Sequence, residues 1–116
     1  MSAGNFEIER KRNYELKRRV IDATATVRTG RAVDHNMIDP VIDIVDPAAG
    51  VTLTVPDGTY VGQKLLITFS SDANGQTVTV TTTTGGDYSL TAVGDYASLE
   101  WVNSTSGWIY LSEVST

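Results

Sequence analysis

Between residues 51 and 111, apolar residues alternate with threonine, serine and other polar residues. A repeat of two places alternate side chains on one face of a β-strand, whereas an amphipathic helix repeats every 3.6 residues. Three of the alternating sets are Val51, Leu53 and Val55; Leu65, Ile67 and Phe69; and Ala97, Leu99 and Trp101. The pattern therefore predicts a β domain whose core is built from these positions.

Turn-forming sequences interrupt the alternation at short intervals, as at Pro56-Asp57-Gly58, Gly85-Gly86 and Val93-Gly94-Asp95. Proline presets the backbone of such turns and glycine supplies positive φ angles. Closely spaced reversals without helical segments between them are typical of antiparallel sandwiches and barrels. We therefore expect a mainly β fold, a small antiparallel β-sandwich or barrel of about six to eight strands over residues 41–116.

The first forty residues are predicted to form an N-terminal arm. Residues 6–21 fit both a helical stripe and a strand alternation, and neither pattern gives a broad apolar face. The arm is therefore expected to contain a short helix or an extended segment. Alternation over residues 23–28 predicts a strand that stops at Thr29-Gly30, where the glycine allows a turn. Pro40 marks the end of the arm because proline cannot donate to a sheet ladder.

The net charge of −5 conceals an uneven distribution. Residues 1–31 carry eight basic and four acidic side chains, whereas residues 32–116 carry one basic and ten acidic side chains. A positive arm on a negative domain indicates that the arm contacts an acidic surface. Binding of nucleic acid is the weaker alternative, because Glu7, Glu9 and Glu15 are interleaved with the basic residues and the domain is acidic.

The sequence offers little for catalysis or metal binding. His35 is the single histidine, and the aspartates near it are Asp34, Asp39, Asp43 and Asp46. Carboxylates can bind a hard cation, but the spacing does not match an EF-hand calcium loop and one histidine does not make a typical zinc site. There is no cysteine. We therefore expect no enzymatic activity, no cofactor and no bound metal.

The sequence also predicts where the protein is made. The basic residues near the N-terminus are not followed by an apolar run, which argues against a secretory signal. No stretch approaches the roughly 20 apolar residues of a membrane span. We expect synthesis in a cytosol and no membrane association.

The last predicted strand has apolar residues on both faces. Trp101 shares a face with Ala97 and Leu99, so it is predicted to lie in the core. Trp108 and Tyr110 lie opposite Ile109 and Leu111. One of these two sets should pack in the core and the other should contact a neighbouring subunit. We assign Trp108 and Tyr110 to the possible subunit interface.

Several motifs together resemble a small β module that recurs in structural proteins of tailed bacteriophages. In order they are Thr54-Val55-Pro56-Asp57-Gly58, Gly62-Gln63-Lys64, Val93-Gly94-Asp95, Leu99-Glu100-Trp101 and Gly107-Trp108-Ile109. The resemblance covers about residues 50–112. Such modules occur in capsid decoration (cement) proteins, head fibres and tail-fibre segments, and the resemblance implies a virion structural protein without catalytic residues.

The resemblance and the charge distribution together predict a capsid decoration protein. It would be made in the host cytoplasm and would lie on the outer capsid surface of the virion as a homotrimer. Its arm would bind the major capsid protein and stabilise the shell. The alternative is a head-fibre or tail-appendage component with a distal β knob that binds glycans through Trp108 or Tyr110. The residues assigned to capsid contact are Phe6, Ile8, Arg10, Arg12, Tyr14, Leu16, Arg18 and Arg19.

Overall fold

The computed structural model describes residues 18–30 and 38–115. Within these ranges the chain forms nine strands and no helix. The strands are β1 (Arg18–Ile21), β2 (Ala25–Thr26), β3 (Val41–Val45), β4 (Val51–Val55), β5 (Lys64–Ser71), β6 (Val78–Thr82), β7 (Tyr88–Leu90), β8 (Tyr96–Asn103) and β9 (Gly107–Val114). Sheet A has the order β1-β3-β5-β8-β9, and sheet B has the order β2-β4-β6-β7. The two sheets form a sandwich, which confirms the mainly β prediction.

The prediction of an antiparallel arrangement is wrong for the first six strands. They alternate between the sheets, and each strand from β3 to β6 pairs in parallel with the strand two positions earlier. Within sheet A, β1, β3 and β5 therefore run in the same direction, and within sheet B, β2, β4 and β6 run in the same direction. The chain crosses to the opposite sheet after each of these strands, so that two crossings bring it back to the first sheet in its original direction. Antiparallel pairing is limited to β5 with β8, β8 with β9 and β6 with β7. Both sheets are therefore mixed.

The core lies between the sheets and consists of the inward set of each alternating pattern. It includes every residue of the three sets identified from the sequence. Trp101 is buried, as predicted, and meets Trp108 edge to face with ring centroids 5.7 Å apart. Trp108 Nε1 donates a hydrogen bond to the carbonyl oxygen of Pro56 at 2.8 Å. The indole therefore brings its polar edge to a turn and its apolar rings to the core.

The division of the chain at residue 40 does not follow the structure. β1 pairs with β3 and β2 pairs with β4, and the side chains of Ile21 and Val27 are buried in the core. Residues 18–30 are thus part of the sandwich and not of a separate arm. Residues 1–17 and 31–37 lie outside the described residues, and so does the choice between a short helix and an extended segment.

Candidate docking surface

The outer faces of the two sheets differ in chemistry. On sheet B, the outward positions of β2, β4, β6 and β7 carry hydroxyl side chains in register. Thr26 lies beside Thr54, Thr52 beside Thr79, and Thr79 beside Ser89. Thr54 in turn lies beside Thr81. The branched Cβ of threonine suits a strand while its hydroxyl remains hydrated, so this surface is typical of a face in contact with water.

Sheet A carries apolar side chains on its outer face as well as on its inner face. Val20 is 63% exposed, Ile109 is 40% exposed and Val114 is 39% exposed. Between these edge strands, Val41 pairs with Leu66 and Tyr96 pairs with Val114. We call this surface the A face, and its apolar residues are Val20, Val41, Leu66, Tyr96, Ile109 and Val114. These exposed apolar side chains are interspersed with polar ones such as Ser98, which lies beside Leu66, and such a mixed surface can serve as a contact site for a partner.

An open groove of about 500 Å³ lies on the A face beside β5 and the turn before β8. It is lined by Leu66, Thr68 and Ser70 of β5, by Val93 in the turn before β8, and by Tyr96, the first residue of β8. Val93 is 56% exposed at the rim. The lining of this open groove is mostly apolar, which suits an apolar side chain of a partner.

The charged side chains on the A face are paired with one another. Arg18 Nη2 lies 2.7 Å from Asp43 Oδ1, and the Thr68 hydroxyl donates to the same oxygen at 2.6 Å. Lys64 forms an ion pair with Glu100. The A face is therefore close to neutral, although the described residues as a whole contain four basic and ten acidic side chains. A neutral, apolar face on an acidic domain identifies one side that can approach another protein without like-charge repulsion.

Two of the predicted capsid-contact residues form contacts within the sandwich. Arg18 pairs with Asp43, and Arg19 Nη1 lies 2.9 Å from both Asp39 Oδ2 and the carbonyl oxygen of Thr26. These guanidinium groups hold β1 in the domain. The other six predicted contacts, Phe6, Ile8, Arg10, Arg12, Tyr14 and Leu16, lie outside the described residues.

The ion pairs of Arg18 and Arg19 involve two of the aspartates that lie near His35 in the sequence. Asp39 and Asp43 each accept hydrogen bonds from an arginine, and Asp46 accepts one from the backbone N–H of Ala73. Asp34 and His35 lie outside the described ranges. Among the residues that the structure describes, no three side chains of the metal-binding types come together.

The assignment of Trp108 and Tyr110 to a subunit interface corresponds to the wrong face of β9. Trp108 is 2% exposed and belongs to the core. Tyr110 packs against Tyr88 with ring centroids 5.6 Å apart and donates its hydroxyl to the carbonyl oxygen of Gly86 at 3.0 Å. Burial, followed by the nearby charges of Asp87 and Glu113, raises the pKa of Tyr110 above its ordinary value. The outward side chains of this strand are Ile109 and Leu111.

The alternation along β9 contained the signal for these outward residues, because two apolar sets compete for the core. The larger aromatic pair, Trp108 and Tyr110, lies on the side of the strand that faces the core. Trp108 reaches Pro56 through its indole nitrogen, and its backbone N–H donates to the Thr84 carbonyl oxygen at 2.9 Å. Both acceptors belong to turns distant in sequence, so local periodicity does not reveal them.

No protein-family model matches the chain, and no curated protein matches it. In the ranges that the structure covers, no helix has the length and apolar character needed to cross a lipid bilayer.

Proposed function

We propose that this protein is a capsid decoration protein, which binds the outer shell of a tailed bacteriophage through contacts with the major capsid protein. The observation that carries the proposal is the neutral A face with its exposed apolar side chains, which lies on the sheet whose edge strand β1 follows the basic sequence of residues 1–17. Residues 1–17 lead directly into β1, which is an edge strand of sheet A. A broad docking face and a basic segment that enters beside it suit attachment to a large protein surface.

The two parts would contribute differently to binding. The A face offers apolar area and a groove, which favour shape-specific contact with a partner. The segment of residues 1–17 carries Arg10, Lys11, Arg12 and Lys17 against three glutamates. A segment of this kind can add area at about 3.3 Å per extended residue and can contact a second capsid subunit. Two linked contacts on one shell raise the apparent affinity through effective concentration.

The glycan-binding alternative loses its main support in the position of Trp108. A sugar-binding platform needs an exposed aromatic ring, and Trp108 is 2% exposed. Tyr110 is half-buried against Tyr88 and donates a hydrogen bond to the carbonyl oxygen of Gly86. Nucleic-acid binding also gains little support, because three of the four described basic side chains, Arg18, Arg19 and Lys64, are paired with carboxylates.

Size fractionation of the native source, with detection of the chain by mass spectrometry, tests the proposal. We expect the chain to co-migrate with a virion-sized particle at a copy number comparable to that of the shell protein. Detection of only a few copies per particle would indicate an appendage component instead of a decoration protein. Elution as a small free protein, away from any particle, would overturn both.

A further inference from the structure

Two connections between the sheets lie side by side at one end of the sandwich. The first crossing, residues 46–50, leads from β3 to β4, and the second crossing, residues 72–77, leads from β5 to β6. Both therefore pass from sheet A to sheet B. The backbone N–H of Val51, just after the first crossing, donates to the carbonyl oxygen of Thr77 at 3.0 Å. The two crossings are thus joined where they enter sheet B.

Two side chains join the crossings nearer to sheet A. Asp46 has a φ of 44°, a left-handed conformation that aspartate adopts more readily than most residues. Its Oδ1 accepts the backbone N–H of Ala73 at 2.9 Å. Asn74 Nδ2 donates to the carbonyl oxygen of Pro47, also at 2.9 Å. The side-chain amide of Asn74 therefore holds the second crossing against the first.

Asn74 is the only one of the five asparagines in the sequence that precedes a glycine. Both Asn74 and Gly75 are exposed to water. No atom of the described residues lies within 4 Å of the position that a Cβ of Gly75 would occupy. Glycine has no side chain to shield its backbone nitrogen, and asparagine is a chemically labile residue. The pair therefore offers an accessible nitrogen directly beside a reactive amide.

We propose that Asn74 is a site of spontaneous deamidation whose rate is limited by the hydrogen bonds between the two crossings. The backbone nitrogen of Gly75 attacks Cγ of Asn74, and the new N–Cγ bond replaces the bond from Cγ to Nδ2. The former amide proton of Gly75 leaves with Nδ2 as ammonia. Water then opens the cyclic imide, at Cγ to give aspartate or at the main-chain carbonyl to give isoaspartate. Water is the only co-reactant.

The hydrogen bonds between the crossings oppose ring closure. Closure requires the side chain of Asn74 to turn onto the nitrogen of Gly75, which breaks the bond from Nδ2 to Pro47. The bond between Asp46 and Ala73 holds the backbone just before Asn74 and restricts the same rotation. The reaction therefore proceeds when the second crossing opens locally, and it is slower in the folded protein than in the unfolded chain.

Deamidation weakens the attachment between the crossings. The new carboxylate at position 74 cannot donate a hydrogen bond to the carbonyl oxygen of Pro47. Its charge also adds to those of Asp46 and Asp72, which accept hydrogen bonds from backbone N–H groups of the second crossing. This end of the sandwich should therefore loosen as the protein ages. The inference rests on these contacts and is independent of the proposed function.

Incubation of the full chain in heavy-oxygen water, followed by mass spectrometry of its fragments, tests the reaction. Fragments that contain Asn74 should lose ammonia and take up the heavy isotope. Asn103 is the internal control, because its Oδ1 accepts the backbone N–H groups of Thr105 and Ser106 and the following Ser104 carries a side chain. Conversion of Asn74 no faster than that of Asn103 would overturn the proposal.

The role of the first crossing is tested with Asp46→Gly. Glycine keeps the left-handed backbone conformation without strain but removes the acceptor for Ala73, so Asn74 should convert several-fold faster than in the unmodified chain. Circular dichroism confirms that the variant is folded, and the unmodified chain in urea gives the rate without any fold. Equal rates in the folded variant and the folded unmodified chain would contradict control by these hydrogen bonds.

The structural consequence is tested with a matched pair of aspartate variants. Asn74→Asp reproduces the aspartate product and loses the donor to Pro47, so its melting temperature should fall. Asn103→Asp changes the net charge equally but keeps an oxygen that accepts both N–H groups of its turn, so its melting temperature should stay close to that of the unmodified chain. Equal melting temperatures for the two variants would show that the crossings do not depend on the amide of Asn74.

Discussion

Arg19 on β1 and Asp39 just before β3 form an ion pair at 2.9 Å that joins the first strand to the rest of the sandwich. The same guanidinium nitrogen donates to Thr26 at the end of β2, and the same carboxylate accepts the backbone N–H of Arg28. One contact therefore ties sheet A, sheet B and the chain entering β3. It also fixes the position of β1 at the edge of sheet A.

Replacement of Arg19 by methionine should destabilise the fold. Asp39 is 6% exposed, so the change leaves a buried carboxylate without its cation. Breaking a buried pair by removing one partner costs about 3–5 kcal/mol. Lys64→Met is the control, because Lys64 is 61% exposed in its pair with Glu100 and such surface pairs contribute about 0–1 kcal/mol. Urea unfolding monitored by tryptophan fluorescence gives both free energies, and equal losses in the two variants would contradict the role assigned to Arg19.

The sequence predicted the strands better than their directions. The repeat of two identifies which side chains of β4, β5 and β8 face the core, because burial follows the alternation along each strand. It carries no information about parallel or antiparallel pairing, since both ladders alternate side chains in the same way. The crossing between sheets therefore became visible only in three dimensions.

The short strands and the docking surface escaped prediction for different reasons. β1 and β2 have four and two residues, and Ile21 and Val27 become buried only through neighbours distant in sequence. The A face was not predicted because Leu66 lies opposite the predicted core set of β5, and its neighbour Val41 becomes visible only when β3 and β5 pair across 25 residues. Its charges were missed because Arg18 and Asp43 are 25 residues apart and meet only across neighbouring strands.

Glycine is required at position 58 because Trp101 occupies the adjacent space. A Cβ atom there would lie 2.3 Å from Trp101 Cγ, well inside van der Waals contact. Overpacking of this kind costs about 1–3 kcal/mol or more, so Gly58→Ala should lower the unfolding midpoint and shift the tryptophan emission. Gly50→Ala is the matched control, with its nearest atom at 3.8 Å. A Gly58→Ala protein as stable as the control would show that the turn can move away from the indole.

Tyr110 should make stability fall at alkaline pH. Its pKa is raised by burial and by the charges of Asp87 and Glu113, so the folded state holds the phenol proton more tightly than the unfolded state, where the pKa is about 10. The contribution is complete below about pH 10 and is lost as the pH rises towards the folded-state pKa. Tyr110→Phe should reduce the fall in melting temperature above about pH 10.

The same variant carries a separate cost at neutral pH. It loses the hydrogen bond to Gly86, worth about 1 kcal/mol. Tyr60→Phe is the control, because Tyr60 is 54% exposed and its replacement should leave the alkaline profile unchanged. Identical alkaline profiles for the Tyr110→Phe and unmodified proteins would contradict the prediction.

Removal of residues 1–17 should separate attachment from folding. The shortened chain keeps β1, with Arg18 and Arg19 in their ion pairs, so its unfolding free energy should match that of the full chain. Its binding to undecorated shells, measured by co-sedimentation, should be strongly reduced. Removal of residues 1–22 is the informative comparison, because it deletes β1 and should destabilise the domain itself. Full occupancy by the chain lacking residues 1–17 would contradict a role for this segment in attachment.

The A face should be needed for binding to the shell, whereas the outer face of sheet B should not. Leu66 lies at the centre of the A face on β5, and Thr79 lies at the corresponding centre of sheet B on β6. Leu66→Lys places a charge in a contact that becomes desolvated on docking, which typically costs more than 2 kcal/mol, so shell occupancy should fall by more than about tenfold. Thr79→Lys adds the same charge to the hydroxyl face and should retain binding. Because both variants change the net charge equally, a loss of binding in both would indicate general electrostatics, and retention in both would place the docking surface elsewhere on the domain.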